Sequence, residues 1–265
     1  MNEYRQIEAS EISDLLEDLL RRCTEHDISA DVYLIGGAAL TIQLGRPHAT
    51  PDFDVLLNPK DEILAVAGEM AKEMDLDPDW VNSRAFAFLG GMDTDLDVEA
   101  KQLPIEGHRV RVASPRYLLA MKLAAGRAKD LDDAAACVRA LGYPSSDQIV
   151  DDAIRILGED SMAWSAPHNE DLHEWIRPEV DYILRATRNG AGRWAQQHIA
   201  NAAPFVAERA VMPAQPVPSA QPAPANPPAN PPANPHSERK RRFPELFADG
   251  ERPAATTEPS PEPER

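Results

Sequence analysis

Ile12, Leu15, Leu16, Leu19, Leu20 and Cys23 recur at the spacing of one helix face, behind Ser10 as an N-cap, and predict a packing helix over residues 8–25. The period then changes. Asp31-Val32-Tyr33-Leu34-Ile35 is an apolar run of strand length, Gly36-Gly37 interrupts it, and residues 37–44 form a short helical pattern closed by Gly45. A second strand, 53–57, ends at Asn58-Pro59, and Ile63, Leu64, Ala67 and Met70 predict an amphipathic helix over Lys60–Met74 that covers the sheet. Three further segments, 84–89, 95–100 and 109–113, alternate or run apolar as strands, with Gly90-Gly91 and Glu106-Gly107 as turns.

From Ser114-Pro115, an N-cap followed by proline at the first helical position, the pattern becomes helical. Helices are predicted at 115–125, 130–141, 146–157 and 170–186, with Pro178 kinking or restarting the last, and at 192–209 with Pro204 interrupting. Beyond Pro213 the unit Ala-Asn-Pro-Pro recurs at 225, 229 and, in part, 233, an extended spacer with nothing to bury. The expected class is α+β, divided into an α/β core at 1–114, a helical region at 115–210 and a disordered Pro-rich tail at 211–265. Within the tail, residues 238–247 join Arg239-Lys240-Arg241-Arg242 to Phe243, Leu246 and Phe247, the composition of either a solvated tail or a linear partner-binding motif.

Charge narrows the choice of partner. The chain carries 27 basic and 44 acidic residues, a net −17. Residues 213–265 hold 6 basic and 7 acidic side chains, which leaves 21 against 37, a net of −16, for residues 1–212. Such a body repels polyanions at long range and argues against bulk nucleic-acid affinity, though not against a local basic funnel. Cys23 and Cys137 fall inside helical apolar patterns without paired spacing, so they are expected to pack. No apolar run approaches the ~18–20 residues of a membrane span, and the N-terminus lacks a basic and an apolar leader region. The expectation is a soluble, cytoplasmic protein that does not engage membranes.

The candidate chemistry lies where the first two strands meet. Residues two apart on a strand share a face, so Asp52 and Asp54 can converge on one divalent cation, while Gly36 and Gly37 allow backbone N–H groups to approach an anion. Nucleotidyl transfer commonly uses two cations ~3.5–4 Å apart, held by more than two carboxylates. Asp95, Asp97 and Glu99 offer a third; Asp97 is the preferred one because Leu96 and Val98 flank it as Phe53 and Val55 flank Asp54. Lys122 stands in a strongly apolar helix, where a charge must be paired or reach a site. Arg46 could equally end a helix, and Arg127 and Lys129 could equally be surface charges. The seven histidines show no ligand or triad spacing, His48 is expected in a loop, and Trp164, Trp175 and Trp194 are expected in the core or an interface.

The order Gly36-Gly37, Arg46, Thr50, Asp52-x-Asp54 and a strand carboxylate near Asp97 resembles the polymerase-β-type nucleotidyltransferase superfamily. The run from Ser114 to Asp133, with Lys122 on an apolar helix followed by Arg127, Lys129-Asp130 and Asp133, is similar to the minimal nucleotidyltransferases of the AbiEii/AbiGii toxin-like group. The likeness spans about residues 31–141 and departs at Ala38, where the superfamily usually has Ser. It implies a nucleotidyltransferase-type mixed sheet with flanking helices, and Mg²⁺ (or Mn²⁺) held by Asp52, Asp54 and Asp97, with Asp97 also activating the incoming hydroxyl. It further implies a triphosphate bound by Gly36, Gly37, Arg46, Thr50, Lys122 and Arg127, with Asp130 and Asp133 supporting. The implied activity is transfer of a nucleoside monophosphate from a nucleoside triphosphate to a tRNA 3′ end or a protein, as a toxin paired with an antitoxin protein. The rival expectation is a nucleotide-binding regulatory module without turnover that docks a partner through its tail.

Overall fold

A computed structural model describes residues 4–87, 92–166 and 170–195. The elements run α1 (Ile12–Glu25), β1 (Asp31–Ile35), α2 (Gly36–Leu44), β2 (Phe53–Asn58), α3 (Lys60–Met74), β3 (Val81–Asn82), β4 (Lys101–Leu103) and β5 (Arg109–Val112). Then follow α4 (Pro115–Ala125), α5 (Leu131–Leu141), α6 (Ser146–Leu157) and α7 (Leu172–Arg188). Short 3-10 turns occupy Ala9–Glu11, Arg84–Ala87, Thr94–Leu96 and Ala128–Asp130.

The strands form one mixed sheet in the order β3-β2-β1-β5-β4. β1 pairs antiparallel with β2, placing Ile35 opposite Asp54, and parallel with β5. β3 lies parallel to β2 with Asn82 beside Asp54, and β4 closes the other edge antiparallel to β5. The mixed sheet with helices is the α+β architecture the pattern predicts. β1 is buried at Val32, Tyr33, Leu34 and Ile35, as suits a central strand covered on both faces.

Local chemistry explains the helices. The six apolar positions anticipated on α1 are all buried, and α1 packs on α3. Trp80 is fully buried, donates its indole N–H to the Ala67 carbonyl at 2.9 Å and meets Phe53 edge-on, which ties α3 to the β2–β3 edge. The Ser114 hydroxyl accepts the Tyr117 N–H, and Pro115 begins α4. In the helical half, α4 packs on α5 and α6, α7 closes over α5 and α6, and α2 touches both α4 and α5. One continuous hydrophobic cluster therefore joins the sheet to the helices. Both cysteines lie in it, buried and free.

Several expectations are corrected. The strand anticipated at 84–89 is a 3-10 turn over Arg84–Ala87, and residues 88–89 lie outside the described residues. The strand anticipated at 95–100 is also absent: Asp93 accepts the Asp95 N–H at 2.9 Å and starts a 3-10 turn over Thr94–Leu96, after which the chain turns again through Val98 and Glu99. The sheet is completed instead by Val81–Asn82 and Lys101–Leu103, both too short to leave a periodic signal. α7 runs through Pro178 as one helix. Ala191–Ala195 are turns, and the remainder of the helix anticipated at 192–209 lies outside the described residues, as does the tail with its 238–247 segment. Among the described residues no helix is long and apolar enough to cross a membrane.

Candidate active site

The site is built where β1 hands over to α2. Gly36 begins α2 at φ +70°, and a Cβ there would fall 2.5 Å from Oδ2 of Asp54. Glycine is required twice at this point, once by the backbone angle and once by the carboxylate beside it. A Cβ on Gly37 would be 3.0 Å from the Thr50 hydroxyl and 3.7 Å from Nη1 of Arg46. Thr50 is buried, and its hydroxyl donates to the Asp52 carbonyl at 3.1 Å, fixing the chain as it enters β2. Ile35 offers α2 no side-chain cap, so the first-turn N–H groups remain without one.

Asp52 and Asp54 are held close together with little to neutralise them. Burial pushes the Asp54 carboxyl up, and the neighbouring Asp52 charge pushes it further, against partial relief from Arg127 and Lys122. Burial also raises Asp52, opposed by the hydrogen bond from Asn82 and by Arg84 and Lys129. Among the described residues no hydrogen-bond donor reaches the Asp54 carboxylate.

Opposite the pair stands a shared ion network. Lys122, 9% exposed, donates to Asp130 at 2.6 Å and to Asp133 at 2.9 Å. Arg127 donates to the second oxygen of Asp130 at 2.5 Å, and Nε of Arg46 to the second oxygen of Asp133 at 2.9 Å. Three cations divide two carboxylates, leaving the network one net positive charge, and two of those cations, Arg127 and Lys122, act electrostatically on Asp54. Burial alone would raise Asp130, but Lys122 and Arg127 outweigh it and hold that carboxyl low. Arg46 also donates to the His48 carbonyl at 3.1 Å, pinning the loop before β2. Gly36, Gly37, Arg46, Thr50, Asp52, Asp54, Lys122, Arg127, Asp130 and Asp133 are thus brought together by a chain of direct contacts and close electrostatic coupling.

Asp97 is not brought into that group. It is buried, and its Oδ2 accepts the Tyr33 hydroxyl at 2.7 Å and the Ser114 N–H at 2.8 Å, which ties it to the β5–α4 junction. Burial raises its carboxyl against those two donors. The alternatives are also engaged: Asp95 pairs with Arg109 and Arg111, and Glu99 with Arg116. The strand expected to present one of these carboxylates beside Asp52 and Asp54 is a turn instead, and the three side chains answer basic or hydrogen-bonding partners there. Among the described residues no group of three or more His, Cys, Asp or Glu side chains is placed to hold a metal.

The donor set present suits one Mg²⁺ rather than two, since Mg²⁺ is commonly held by one or two carboxylates together with substrate phosphates. Residues absent from the sequence reading also border the pair. Asn82 reaches Asp52 from a two-residue strand, and Arg84 comes from the turn after it. Trp164 and Trp175 are buried, while Trp194 donates to Asp132 at 2.6 Å, so the three tryptophans anticipated in the core or an interface serve packing and tethering. No protein-family model, curated protein or solved structure matches the chain.

Proposed function

We propose that the chain is a Mg²⁺-dependent nucleotidyltransferase, related to the AbiEii/AbiGii toxin-like branch of the polymerase-β superfamily. It would move a nucleoside monophosphate from a triphosphate to a hydroxyl of a tRNA 3′ end or a protein. The observation that carries this reading is the under-neutralised, half-buried Asp52–Asp54 pair, with Asp54 against the Gly36 turn and under the electrostatic influence of Lys122 and Arg127.

The uncapped first turn of α2 and the glycines offer a triphosphate a backbone cradle. Lys122, Arg127 and Arg46 supply positive charge, already oriented by Asp130 and Asp133, so little reorganisation is needed when the substrate's own charge arrives. Asp52 and Asp54 would hold Mg²⁺, which when bound offsets phosphate charge and eases departure of pyrophosphate. The acceptor oxygen bonds to the α-phosphorus as the bond to the β-phosphate oxygen breaks, and pyrophosphate leaves with that electron pair. The acceptor's proton passes to solvent.

Incubation with labelled nucleoside triphosphates, Mg²⁺ and total RNA or protein tests the proposal. Labelling of one pool that disappears in Asp52→Ala and Asp54→Ala supports it; labelling of neither overturns it. Growth arrest on expression, relieved by Asp52→Ala, would support the toxin role and a cytoplasmic antitoxin partner. A second reading, nucleotide binding without turnover, is favoured by the engagement of Asp95, Asp97 and Glu99. Calorimetry showing nucleotide binding with no pyrophosphate released across many acceptors would select it.

A further inference from the structure

We propose that Asn82 is a positioning residue that limits this site to a single divalent cation. The inference rests on the assignment of Asp52 and Asp54 as metal ligands and concerns what surrounds them. Asn82 stands on β3 in register with Asp54, the place on the neighbouring strand from which a third side chain meets the pair. It is 6% exposed, and both ends of its amide are committed. Oδ1 accepts the Arg84 N–H at 3.1 Å, which orients Nδ2 toward Oδ2 of Asp52 at 2.9 Å.

The consequence follows from charge and geometry. A carboxylate at position 82 would add a third negative oxygen donor where two half-buried carboxylates already repel. The amide instead donates, holds Asp52 in one orientation and occupies its oxygen from the β3 side. The other acidic neighbour of Asp52, Asp77, accepts the Asp79 N–H at 2.8 Å. That leaves one oxygen of Asp52 outside the Asn82 bond and the Asp54 carboxylate beside the α2 turn, a set for one cation that completes its shell with water and phosphate.

Mn²⁺ titration of the full chain, followed by electron paramagnetic resonance without nucleotide, tests this. Wild type is expected to bind one Mn²⁺ per chain at a site lost in Asp54→Asn. Asn82→Ala is expected to weaken that site about 10- to 100-fold, as loss of a group orienting a metal ligand does. Asn82→Asp keeps the acceptor for Arg84 and adds a carboxylate, so it is expected to bind Mn²⁺ at least tenfold more tightly or to take up a second ion, a gain that a purely structural asparagine would not produce. Wild-type affinity and stoichiometry in both variants would overturn the proposal while leaving the carboxylate pair as ligands. A wild type with two ions dependent on Asp54 would overturn it as well. A wild type with no such ion would overturn both it and the metal-dependent function.

Discussion

Strand β2 and the turn at 93–99 each set a carboxylate between two apolar residues, Asp54 half-buried and Asp97 buried, and they dispose of its charge in opposite ways. Around Asp54 the apolar neighbours face inward, Phe53 and Val55 each 1% exposed, and the carboxylate is left without a donor among the described residues. Around Asp97 the apolar neighbours face outward, Leu96 40% and Val98 80% exposed, and the carboxylate takes two donors. A buried carboxylate satisfied by the protein is a structural bolt. One that burial and a like charge leave dissatisfied is available to a cation.

The sharpest way to break this contrast is to remove the charges one at a time. Asp52→Ala or Asp54→Ala is expected to lower nucleotidyl transfer by about 10³-fold or more while leaving the circular dichroism spectrum intact, since several kcal/mol of charge stabilisation disappear. Asp97→Ala is expected to leave Mn²⁺ affinity unchanged and to cost about 2–3 kcal/mol in urea unfolding, because the buried Ser114 N–H and Tyr33 hydroxyl lose their acceptor. Loss of Mn²⁺ binding in that variant would return Asp97 to the site.

Smaller effects sharpen the same comparison. Val55→Ala is expected to destabilise by about 2 kcal/mol, whereas Val98→Ala is expected to stay within about 0.5 kcal/mol in the same unfolding experiment. Asp54→Asn is expected to raise Tm at pH 7 by about 2–4 °C. The sign follows from the raised carboxyl: the folded state holds the Asp54 proton more tightly than the unfolded chain, so wild-type stability falls as pH rises through the folded value. The advantage of the asparagine is present at pH 7 and vanishes below the ordinary carboxylate range, which thermal scans at pH 4 and 7 would read. Asp130, held low by Lys122 and Arg127, behaves oppositely and loses its contribution as pH falls.

The half of the site on β1, α2 and β2 is legible in the sequence because glycines, strand alternation and the helical period act locally. Lys122 is legible for a related reason, since a lone cation in an apolar helix demands a partner, and Asp130 and Asp133 supply it. Asp97 misleads because Leu-Asp-Val has the composition of a strand, while the hydrogen bond from Asp95 N–H to Asp93 that makes it a turn carries no periodic signature. Asn82 is invisible because β3 has only two residues, and its role comes from register with β2.

Asp133 has a consequence of its own. Its two oxygens accept from Arg46, which fixes the loop before β2, and from Lys122 on α4. Those two cations therefore share one counter-charge and form a thermodynamic unit: neutralising either strengthens the hold on the other. Their individual energies do not add, and a double-mutant cycle across positions 46 and 122 has a non-zero interaction energy. A ligand that draws Lys122 away from Asp133 tightens Arg46 on the same carboxylate, so occupancy at α4 is coupled to the loop at 46–50 through one shared carboxylate.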